Sequence, residues 1–142
     1  MKITVLTSNK TRHNYLVNKL TDVCEKLFLI QENSTIFPGI NPGRNKQSTI
    51  MKKYFDKVNI AQNYFFKDHK FIKLKKNLKL LSLQMGDINR IKLRDYKIFF
   101  QSDLYIVFGT SFIKGEVLNF LKKNKAINLH MGLSPYYRGT DC

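Results

Sequence analysis

Two polar side chains near the end of the chain, Asn128 and His130, stand one residue apart in the run Ala126-Ile127-Asn128-Leu129-His130. Strand side chains repeat every two residues, so an amide and an imidazole at this spacing share a face. One explanation is structural: two polar residues at a strand end, hydrogen-bonded to the loop beyond. The other is chemical. An Asn N–H can donate to an oxygen that becomes negative, and a His can donate to the same oxygen or shuttle a proton. That pairing suits attack of an amine on an acyl carbon. The run has the apolar character of a buried strand, and Gly132, Pro135 and Gly139 after it are loop punctuation. Open α/β sheets keep their chemistry at such strand C-terminal ends.

The elements that must position this pair are legible as an alternation. Lys2 to Thr7 alternates and is β-branched, which predicts a first strand. Thr11 is a candidate cap for a helix to about Cys24, with Leu16, Leu20 and Val23 inward. His13 is expected at the surface or the core edge. Lys26 to Gln31 reads as a buried second strand. A loop follows, with turns at Pro38-Gly39 and Pro42-Gly43. Ile50, Tyr54, Val58, Ala61 and Phe65 have helical spacing after a Ser48 cap, which predicts a helix to about Phe66 packed across the sheet. The stretch 71–85 fits neither period well; a short strand plus a helix is the expectation. Gly86-Asp87-Ile88-Asn89 predicts a turn, with Asn89 capping a short helix to about Phe100, Ile91 and Phe99 inward. Leu104 to Phe108 reads as a strand ended by Gly109, where a backbone without Cβ could approach a ligand, or simply turn. Glu116 to Lys123 reads as a short helix. Strands alternating with helices predict an α/β fold: a Rossmann-like, mostly parallel sheet with helices on both faces.

Composition bounds the rest. A length of 142 residues predicts one domain, and 43% hydrophobic with 13% aromatic residues predicts a globular one. No apolar run approaches the ~20 residues of a bilayer span, and the apolar start is too brief for a secretory signal, so a cytoplasmic protein with no membrane partner is expected. Two cysteines make no disulfide framework, and no Cys/His cluster has metal-ligand spacing, so no metal is expected. The net charge of +15 raises nucleic acid as a partner. The basic residues are mostly scattered lysines, however. In their one dense stretch, 67–79, a solvated face is favoured over a binding patch. The turn at Thr7-Ser8-Asn9-Lys10-Thr11 lacks the spaced glycines of a dinucleotide fingerprint.

The segment Asn128-Leu129-His130-Met131-Gly132-Leu133-Ser134-Pro135-Tyr136-Tyr137-Arg138-Gly139 resembles the signature of 10-formyltetrahydrofolate-dependent formyltransferases. That family carries Asn-x-His, a small residue, an apolar residue and Pro, then a basic residue and Gly. Val107-Phe108-Gly109-Thr110-Ser111-Phe112-Ile113-Lys114 resembles its folate-binding strand and loop, at the family's spacing. The likeness is specific over 104–139 and only pattern-level before that. Residues 7–15 and 86–89 resemble the subgroup that modifies amino sugars.

The resemblance implies formyl transfer from 10-formyltetrahydrofolate to a primary amine. By it, Asn128 and His130 are catalytic: Asn128 bonds the formyl oxygen, and His130 stabilises the oxyanion and relays a proton. The backbone of Phe112, Ile113 and Lys114 holds the pterin, and Gly132, Leu133, Ser134 and Pro135 line the folate side. Ser8 and Asn9 face the amine substrate. Gly132 stands where the family usually has Ser, which removes a hydroxyl contact. The first expectation for the substrate is a nucleotide-linked amino sugar, then methionyl-tRNA, then glycinamide ribonucleotide. The family's His is oriented by an Asp well downstream, and Asp141 is too close to be it. A formyltransferase N-terminal domain over 1–142, incomplete at its C-terminus and weakly active or inactive, is therefore expected. The rival from another class is a non-catalytic basic binding module.

Overall fold

The computed structural model describes residues 1–33 and 48–130. The turns expected at Pro38-Gly39 and Pro42-Gly43 lie outside the described residues. In chain order the elements are β1 (Lys2–Ser8), α1 (Thr11–Val23), β2 (Lys26–Asn33), α2 (Thr49–Phe66), β3 (Leu78–Gln84), β4 (Leu104–Phe108), α3 (Gly115–Lys123) and β5 (Ile127–Asn128). Short 3-10 turns occupy Lys67–His69, Asp87–Asn89 and Leu93–Phe100.

The five strands form one parallel sheet in the order β3-β2-β1-β4-β5. This is the Rossmann-like α/β arrangement expected from the alternation. The chain moves outward from β1 through β2 to β3, then crosses back to lay β4 on the other side of β1. The point of reversal lies between β1 and β4, the place where open α/β sheets characteristically bind their ligands.

β1 and β2 are apolar on both faces because both faces are covered. On one face Ile3, Val5, Leu27, Leu29 and Ile106 bury against Val17 of α1. On the other, Leu6, Ile30 and Tyr105 pack with Ile88, Ile91 and Phe100 of the 3-10 segments and with Val117 and Leu121 of α3. Each fully buried aliphatic contributes about 1.5–3 kcal/mol relative to exposure, so these two layers hold the strand ends in place.

Several expectations need correcting. Leu16 and Leu20 pack half-buried against the core as expected, but Val23 is 79% exposed, and the fully buried residues of α1 are His13, Asn14, Val17, Asn18 and Thr21. The polar ones are buried because they bind backbone. Asn14 Nδ2 donates to the Lys70 carbonyl (3.0 Å), and Asn18 grips both the Phe71 carbonyl (3.1 Å) and the Lys73 N–H (2.9 Å). Those bonds tie the backbone of residues 70–73 to α1; no helix forms in 71–85, where a turn at Lys76-Asn77 leads into β3. The cap position of α1 is Lys10, not Thr11, and no side chain caps it. Ser48 does cap α2, accepting from the Met51 N–H (3.2 Å). Yet α2 packs against α1 rather than across the sheet, through half-buried Phe55, Val58, Gln62 and Phe66, with Ile50, Tyr54 and Phe65 exposed. Lys92, not Asn89, occupies the cap of the segment ending at Phe100.

Candidate functional site

Register alone lines up most of the candidate residues. Ser8 of β1 pairs with Glu32 of β2, and Thr7 pairs with Phe108 of β4, so Ser8 lies level with Gly109. Val107 pairs with Asn128 of β5, and the Leu129 N–H reaches the Val107 carbonyl (2.8 Å). Continuing two residues sets His130 level with Gly109. Glu32 and Ser8 thus stand side by side at the C-terminal edge of the sheet, with Gly109 and His130 just past the ends of β4 and β5. At about 4.8 Å per strand, β1 and β5 are about 10 Å apart.

β5 is the edge strand among the described residues, and its run is not buried: Ile127 is 47% and Leu129 38% exposed. Asn128 and His130 are exposed at the same edge. Gly132, Leu133, Ser134 and Pro135 lie outside the described residues.

The β1 turn is built around His13, which is buried at 1% exposure rather than at the surface. Its Nδ1 lies 2.7 Å from Ser8 Oγ, and Arg12 Nε donates to its Nε2 (3.4 Å). The ring meets Phe108 edge-on with centroids 4.4 Å apart. Gly109 makes room for it: with φ +65°, a Cβ there would sit 2.5 Å from His13 Cε1. Burial, and then the positive charges of Arg12 and Lys10, push the His13 pKa down to about 4, against a contact with Ser8 that raises it. The imidazole is therefore neutral near pH 7. The arginine is always a donor, so Nε2 accepts and the ring proton rests on Nδ1. His13 then donates to Ser8 Oγ, and the Ser8 proton is left to point elsewhere. This tautomer makes Ser8 a hydrogen-bond donor at the end of β1, not a nucleophile activated by a base.

Beside the same turn, Asn9, Lys10, Thr11 and Arg12 face Phe55, Val58, Asn59, Gln62 and Asn63 of α2 across a cleft of about 390 Å³. Its walls combine two cations, several amides and an aromatic ring. The loop after β4 leaves the same edge of the sheet. The Phe112 ring is 84% exposed, and the half-buried Ile113 side chain packs against the core. Asn89 takes two backbone groups of this loop: its Nδ2 donates to the Phe112 carbonyl (2.9 Å), and its Oδ1 accepts from the Lys114 N–H (2.7 Å). Those two groups, within the segment to which the family resemblance assigns the pterin, are already bonded to the protein.

No family model, no curated protein and no solved structure matches this chain. The chemistry must be read from the residues themselves. Among the described residues no group of His, Cys, Asp or Glu is arranged to hold a metal, and no helix is long and apolar enough to cross a membrane. Sequence reasoning placed His13 at the surface or core edge and Asn89 at a helix cap, and it missed Glu32. Glu32 carried a usable signal, being a lone carboxylate at the C-terminal end of a run that is otherwise apolar from Leu27 to Ile30. Asn89 carried none, because an Asn after a glycine turn is ordinary.

Proposed function

We propose that the protein transfers a formyl group from 10-formyltetrahydrofolate to a primary amine, with a nucleotide-linked amino sugar as the first candidate acceptor. The observation that carries this reading is the arrangement at the sheet edge. Ser8, Gly109 and His130 come to the C-terminal edge of the sheet at the ends of β1, β4 and β5, where Val107 and Asn128, the first residues of the two segments that resemble the family's motifs, are paired. The acceptor would approach from the Ser8–Asn9 turn, where Ser8 is a donor and Lys10 and Arg12 offer charge to a phosphate. The donor would lie against the 111–114 loop, where the exposed Phe112 ring offers a stacking surface.

In this scheme Asn128 donates to the formyl oxygen as negative charge develops there. His130 donates to the same oxygen, takes the proton lost by the attacking nitrogen and passes it to the departing N10. Donors aimed at charge that appears only during reaction lower the barrier without tightening ground-state binding.

The test has two readouts. The chain should bind reduced folate, and labelled formyl should appear on an amino-sugar nucleotide. His130→Ala should abolish the weak transfer expected of this chain, with folate affinity little changed. No folate binding at millimolar concentration, or indifference of turnover to His130→Ala, would end the proposal. The second reading, a basic binding module, has one observation behind it: Lys67, Lys70, Lys73, Lys76 and Lys79 are exposed beside exposed Phe71 and Leu74. It predicts that nucleic acid binds and that His130 is irrelevant.

A further inference from the structure

Glu32 is a buried carboxylate, 2% exposed, on the strand next to β1. Burying such a group is expensive unless donors surround it. Three do. Its Oε1 accepts from the Gly86 N–H (2.8 Å) and the Ser111 hydroxyl (2.9 Å), and its Oε2 accepts from the Ser111 N–H (2.7 Å). An apolar residue at 32 would extend the core with less penalty. What it could not do is tie the turn after β3 and the loop after β4 to the end of β2.

Asn89, which follows that β3 turn, grips the same loop three residues further on. Donation to the carbonyl of residue 112 and acceptance from the N–H of residue 114 is the pattern a neighbouring parallel strand makes around residue 113. The Asn89 amide therefore acts as a one-residue strand. It requires the 112–114 backbone to be extended, and Lys114 is (φ −145°, ψ 176°). With the half-buried Ile113 side chain packed against the core, the loop is held from three sides while the Phe112 ring stands in solvent. A loop with nothing to bind gains little from such restraint, whereas a preformed edge spares a ligand the entropy of ordering it.

We infer that Glu32 and Asn89 are positioning residues, which clamp the backbone of residues 111–114 into a preformed edge for the folate donor. The ligand's identity rests on the formyl-transfer reading; the clamp rests on its hydrogen bonds. The probe is 5-formyltetrahydrofolate, the stable isomer of the donor, titrated into the 142-residue chain, Glu32→Gln and Asn89→Ala. Residue-resolved amide exchange is followed in parallel. In Glu32→Gln an amide NH₂ replaces an acceptor and faces the Ser111 or Gly86 donors. In Asn89→Ala both contacts vanish. Each variant should weaken folate binding at least tenfold and speed exchange at the Ser111 or Lys114 amide, with β1 and β2 still protected. Leu29→Ala, which destabilises the opposite layer, should leave folate affinity unchanged. Should Glu32→Gln fail to fold, Asn89→Ala decides, because Asn89 is half-exposed. Folate bound normally by the parent chain and within twofold by Asn89→Ala would overturn the positioning role. No binding by the parent chain would instead overturn the donor reading, and with it the ligand named here.

Discussion

At the scale of single residues, the most consequential group at the β1 turn is His13, which the sequence presents as one more polar residue of an amphipathic helix. Its neutrality has a measurable consequence. Above about pH 7.5 the ring is neutral whether the chain is folded or not, so it contributes no pH dependence. Between there and pH 4 the unfolded chain takes up a proton that the folded one refuses, since burial and the Arg12 and Lys10 charges hold the folded pKa near 4. Stability must therefore fall as pH drops through that window. The loss is about 2 kcal/mol between pH 7 and pH 5, and about 3 kcal/mol by pH 4. Urea unfolding of the parent chain and of His13→Gln at pH 7, 6 and 5 checks this. The variant should be less stable at pH 7, where it loses the Ser8 contact, yet lose less on acidification. Parallel pH profiles for the two chains would show that His13 does not carry the effect.

At the scale of elements, the strands were legible and the helix faces were not. β1, β2 and β4 announce themselves because a strand covered on both sides must be apolar at every position, and that leaves a continuous run. The inner face of α1 is partly hidden because it includes Asn14 and Asn18, whose burial is justified by backbone carbonyls and an N–H far along the chain, and Thr21, which donates to the Val17 carbonyl one turn back. Periodicity counts hydrophobic side chains and cannot see such partners. The face of α2 was misread for the opposite reason. The helix carries apolar residues around most of its circumference, and only the Phe55, Val58, Gln62 and Phe66 stripe meets α1. The candidate site divides in the same way. Asn128, His130 and the Ser8 turn were legible from local motifs, while the Glu32 and Asn89 bonds join positions 79 and 25 residues apart. A prediction follows for α2. It has no fully buried residue, and its aromatic anchor is Phe66 against Tyr15 (centroids 5.2 Å). Phe66→Ala should therefore lower global stability by no more than about 1 kcal/mol, against the 2–5 kcal/mol expected for Leu29→Ala in the sheet. Amide exchange in α2 should accelerate while β1 and β2 stay protected. Loss of sheet protection in Phe66→Ala would mean that α2 is part of the cooperative core.

At the scale of the whole molecule, the excess of 25 basic over 10 acidic residues is a property of the field and has to be separated from the property of the site. The sheet order does part of that. The dense lysine stretch borders β3, at the opposite edge from β5, so four strand spacings, roughly 19 Å, separate Lys79 from the level of Asn128. Lys75 in that stretch already pairs with Asp22, and Lys79 lies on β3, an edge strand among the described residues, where lysines discourage pairing with another chain. Among the described residues, the cations lining the cleft beside Asn9 are Lys10 and Arg12. Two cations suit a diphosphate, whereas a nucleic acid would engage many more and release a counterion at each. The two acceptors thus differ in salt dependence. For a nucleotide-linked amino sugar, log affinity against log salt should fall with a slope of about −1 to −2, and Lys10→Gln should flatten it. For a tRNA the slope should be about −5 or steeper, with lysines of the 67–79 stretch contributing. Salt also screens the self-repulsion of a +15 chain and raises its stability, so the titrations belong at temperatures where the protein is folded even at the lowest salt. A steep slope that survives Lys10→Gln and disappears when Lys73, Lys76 and Lys79 are replaced by Gln would move the acceptor from the cleft to the far edge, and would favour a polyanion over the sugar.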